Sequence, residues 1–99
     1  GIGDDVPGRL RTFPNGATAM RELAASTAAR PIGCTQVTEI LAIPGLQLVG
    51  VLPPEFELTT VYTVGVTAHA ASPEAARKLA ALLTAPQTEP IRRQVGFGR

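Results

Sequence analysis

The stretch Pro31-Ile32-Gly33-Cys34-Thr35-Gln36-Val37-Thr38-Glu39-Ile40 constrains this chain more than any other. A short apolar run enters Gly33, small polar residues follow at once, and a helical pattern opens at Gln36. That order reads as a strand ending in a turn that starts a helix. In such a turn the first backbone N–H groups of the helix lack internal partners and point out of the strand's carboxyl end. They can hold an anion or a small polar ligand. The same order is that of any ordinary strand-to-helix loop, so these residues alone leave both readings open.

The rest of the chain alternates around this stretch. Arg9-Leu10-Arg11-Thr12-Phe13 alternates polar and apolar and reads as a short strand, broken by Pro14-Asn15-Gly16. Asn15 is suited to cap a helix, its side-chain oxygen accepting from the N–H of Ala17 or Thr18. That helix is expected from Gly16 to about Ala29, with Ala17, Met20, Leu23, Ala24 and Ala28 on one stripe. Ile32-Gly33-Cys34 is the next strand, and a helix over Gln36–Ala42 turns Val37, Ile40 and Leu41 inward. Leu46–Val51 alternates as a strand, and Leu52-Pro53-Pro54 is an extended linker. The longest β pattern runs from Phe56 to Ala68 and is dominated by β-branched residues. Ser72-Pro73-Glu74 is a helix start, with a capping Ser, Pro at the first helical position and an acid in the first turn. Its helix is expected to reach Leu83, burying Ala75 or Ala76 with Leu79, Leu82 and Leu83. A last helix, from Pro86 to Val95, ends with Gly96 as its C-cap glycine and Phe97 folding back. Alternating strands and helices predict an α/β fold, a mixed sheet flanked by helices.

Chemistry is sparse. The chain has 99 residues, a net charge of +1, one histidine and one cysteine. Its charge gives no field for nucleic acid. One cysteine excludes an internal disulfide, and with one imidazole a zinc site is not expected. The eight acids are dispersed. Cys34 and His69 form the only conceivable nucleophile–base pair, and a lone buried cysteine is ordinarily inert core. No apolar run approaches the roughly 18 residues of a membrane helix. The acidic, glycine-bearing start has no basic leader region, so no signal peptide is expected in this chain. Without an initiator Met, the chain reads as a piece of a longer polypeptide. With 44 % apolar residues and no Trp, its core must be aliphatic.

Binding remains. Helix starts at Asn15/Gly16 and Thr35/Gln36 both follow strands and so open at one sheet edge, where ligands of α/β proteins sit. Thr35, Gln36 and Thr38 add neutral polar groups, Arg30 could add charge, and Tyr62 could approach from beyond the linker. The plainer reading of Tyr62 is an amphipathic ring on a half-buried strand. No catalytic residue, metal or cofactor is expected.

Several runs, taken together, resemble a known family. They are Asn15-Gly16-x-x-Ala19-Met20-Arg21-Glu22-Leu23, Ile32–Ile40, Val49–Glu55, Tyr62–Val66, Ser72–Leu79 and Val95-Gly96-Phe97. In order and spacing the chain resembles the later part of extracellular solute-binding proteins of ABC transporters, most nearly the molybdate-binding type. The resemblance implies the C-terminal portion of a type II periplasmic-binding-protein fold. Residues 1–52 would belong to the second lobe. Residues 53–99 would form the crossing segment and the closing strand and helices of the first, with hinge motion near residues 52–60. It further implies an oxyanion or other small-molecule ligand at Thr35, Gln36 and Thr38, with Asn15 and Gly16 beside them. The partner would be a transporter permease and the location periplasmic or extracellular. Molybdate binders commonly carry Tyr where Gln36 stands, and Ser or Thr followed by Asp where Thr38-Glu39 stands. The alternative expectation is a small self-associating α/β domain, a homo-oligomer with a structural role and no ligand.

Overall fold

Local capping sets where the first helix begins. The Asn15 side-chain oxygen accepts the Thr18 N–H at 2.8 Å, the second of the two alternatives expected for this cap. Helix α1 follows over Gly16–Ala25. A computed structural model describes residues 1–98 of the chain. Helix α1 stops short of Ala29 because Ser26 leaves the helix at φ −66°, ψ 138°. The Ser26 hydroxyl accepts the Ala28 N–H at 3.2 Å, a local bond that competes with helical continuation. Helix α2 is one short run, Val37–Leu41. Gly45 follows at φ +88°, a left-handed conformation that suits glycine.

Helix α3 spans Pro73–Thr84, with Pro73 at its first position and Glu74 in its first turn, as expected. Ser72 precedes it but makes no side-chain capping bond. The single helix expected over 86–95 is divided into a 3-10 turn, Pro86–Thr88, and helix α4, Glu89–Gln94. The cause is Pro90. It has no N–H, and its ring crowds the carbonyl four residues earlier, so the α-helix starts afresh with Pro90 in its first turn. Gly96 takes φ +110°. Its N–H reaches the Arg93 carbonyl at 3.1 Å, and the Phe97 N–H reaches the Arg92 carbonyl at 2.9 Å. Those two bonds are the glycine-terminated helix end that the sequence announces. Further 3-10 turns lie at Ile2–Asp4, Pro7–Arg9 and Pro54–Phe56.

The expected mixed sheet is not present. Among the described residues no strand forms at 9–13, 32–34, 46–51 or 56–68. The α/β layering and the type II binding-protein sheet predicted for this chain are thereby corrected: the described structure is helices joined by irregular segments. Alternation specifies which face of a strand would be buried, but a strand exists only when a neighbour supplies its hydrogen bonds. Residues 58–61 and 63–66 make no backbone–backbone hydrogen bond among the described residues.

The chain forms two units, Gly1–Leu48 and a second beginning at Val49. In the first, α1 packs on α2. Met20 is the one fully buried large side chain among the described residues, 2 % exposed. Gly33 lies beneath it: a Cβ there would stand 2.7 Å from Met20 Cε and 2.8 Å from Leu23 Cδ2. Ala17, Leu23, Val37 and Ile40 are half-buried around this centre, while Ala24, Ala28 and Leu41 of the expected inward set are exposed.

In the second unit α3 meets the 86–88 turn, which packs on α4. Arg92 Nη1 ties the corner by donating to the carbonyls of Leu83 at 2.8 Å and Ala85 at 3.0 Å, and to the Thr88 hydroxyl. The Tyr62 ring stands edge-on to Phe97, centroids 5.4 Å apart. Leu79, Leu82 and Leu83, expected in a core, are exposed, since among the described residues no sheet forms to cover α3.

Candidate functional site

The site is assembled where α1 begins against the segment leading into α2. Asn15 caps α1, and Gly16 is its first residue. The Thr35 hydroxyl donates to the Glu39 carboxylate, one helical turn ahead. Thr35 Oγ1 and Glu39 Oε2 both press on Gly16, so closely that a Cβ at that position would overlap them. Glycine permits this close approach, with no special φ involved, and any larger residue would have to displace the Thr35 and Glu39 side chains. The first turn of α1 has no acid of its own. Glu39, reaching over from α2, places a negative charge at that positive helix end.

Gln36 is the residue immediately before α2, with φ −63° and ψ 143°. Its carbonyl accepts the N–H groups of Glu39 at 3.1 Å and Ile40 at 3.2 Å, which anchors the start of the short helix. Gln36 itself is exposed, and Thr35, Thr38 and Glu39 are half-buried. The structure therefore brings Asn15, Gly16 and Thr35 together, with Gln36 and Thr38 adjoining on the same segment. Tyr62 belongs to the second unit and packs on Phe97. Glu39 is the member that sequence reasoning leaves out. Its signal was the four-residue spacing from Thr35 across a helix start, where a hydroxyl and a carboxylate come onto one face.

The arrangement offers hydroxyl, amide and carboxylate groups at a half-exposed surface. Among the described residues no three metal-ligating side chains converge. Cys34 is exposed, contrary to the buried core cysteine expected, and it lies in a different unit from His69. Among the described residues no helix is long and apolar enough to cross a membrane.

The family model described as bacterial extracellular solute-binding protein matches residues 1–98. No match was found among curated proteins or among solved structures. A match over nearly the full length carries the assignment: the chain belongs to the bacterial extracellular solute-binding proteins.

Proposed function

We propose that this chain supplies solute contacts to an ABC-transporter binding protein that works in the periplasm or outside the cell and delivers its ligand to a membrane permease. The observation that supports this most directly is the junction at Gly16, where Asn15, Thr35 and the Glu39 carboxylate meet beside Gln36 and Thr38. The ligand is a small polar solute or an oxyanion of the molybdate kind, held by Thr35, Gln36 and Thr38 with Asn15 and Gly16 alongside. Binding is the reading that the family supports, with hydroxyl and amide groups of Thr35, Gln36 and Thr38 beside the Glu39 carboxylate. An oxyanion must compete with Glu39 for the Thr35 hydroxyl, since that proton is donated to the carboxylate. In the family's terms residues 1–52 belong to one lobe, and residues 53–99 cross to and complete the other.

The test is calorimetric titration with molybdate. Losing one hydrogen bond to a charged ligand removes about 1.5 kcal/mol, so Gln36→Ala should weaken binding about tenfold without loss of helix. Glu39→Gln should strengthen it by removing the competing charge. Equal molybdate affinity in the Gln36→Ala variant and the unaltered chain would refute the assignment of Gln36.

A second reading, self-association with a structural role, is favoured by one specific observation. Leu58 and Val61 of the second unit are 87 % and 82 % exposed, and Leu79, Leu82 and Leu83 of α3 are exposed as well.

A further inference from the structure

We draw no further inference here: the strongest candidate, the side-chain cluster of Thr35 and the Glu39 carboxylate over Gly16 at the start of α1, belongs to the site already described and rests on a helix start and the hydrogen bond within that cluster.

Discussion

Met20→Ala tests the packing that holds the candidate site together. Met20 is 2 % exposed and touches the region of Gly33 and Leu23, where α1 lies over the segment that leads to α2. Burying a methionine side chain is worth about 1.5–3 kcal/mol in transfer terms, and the alanine methyl recovers little of it. A cavity term adds to this. It is moderated here because Leu23 and Val37 are only half-buried and can relax inward. The expected cost is therefore about 2–3 kcal/mol, near the lower end for methionine truncation. A unit of this length, Gly1–Leu48, has only about 2–7 kcal/mol of stability to lose at typical values per residue. Urea unfolding followed by far-UV circular dichroism should show the α1 transition shifted down by about 2 M, taking a slope near the small-protein minimum. Amide exchange across Gly16–Ala25 should accelerate with it. The control is Ile32→Ala, at a side chain 88 % exposed, with an expected change within about 0.5 kcal/mol. If Met20→Ala and Ile32→Ala cost the same, Met20 is not the centre of this unit and the reasoning fails.

Other outcomes follow from single features. Gly33→Ala pushes a Cβ to 2.7 Å from Met20 Cε and should destabilise by about 1 kcal/mol, while Gly50→Ala, which meets nothing within 4 Å, should be neutral or slightly stabilising in the same urea series. Asn15→Ala removes the Thr18 cap and should cost about 1 kcal/mol, with exchange rising first in the opening turn of α1. Arg92→Ala unties the α3–α4 corner and should cost about 1–2 kcal/mol, read as faster exchange in α4. By contrast, Glu89→Ala breaks only an exposed pair with Arg93 at 2.9 Å, and its effect should stay within about 0.5 kcal/mol and fade with salt.

What was legible in the sequence was local. The Asn15 cap, the Ser72-Pro73 start and the Gly96 helix end each depend on a few neighbouring residues, and each helix begins or ends where those residues place it. Strands were not legible in the same way. The alternation from Phe56 to Ala68 describes a face, and the described residues supply no neighbouring strand to pair with it. The leucines of α3 misled for the same reason, since their stripe implies a cover that the described residues do not provide. In the site, Asn15, Gly16 and Thr35 were readable as helix-start chemistry. Glu39 was not singled out, because its role depends on α1 lying against α2, a long-range contact that no local pattern specifies.

The most direct test of a solute site at the α1–α2 junction is an amide chemical-shift titration of the isotopically labelled chain with molybdate. The account predicts saturable shifts at Gly16, Thr35, Gln36 and Thr38, with residues 73–84 of α3 unmoved. Shifts that never saturate, or that saturate only in the second unit, would contradict it.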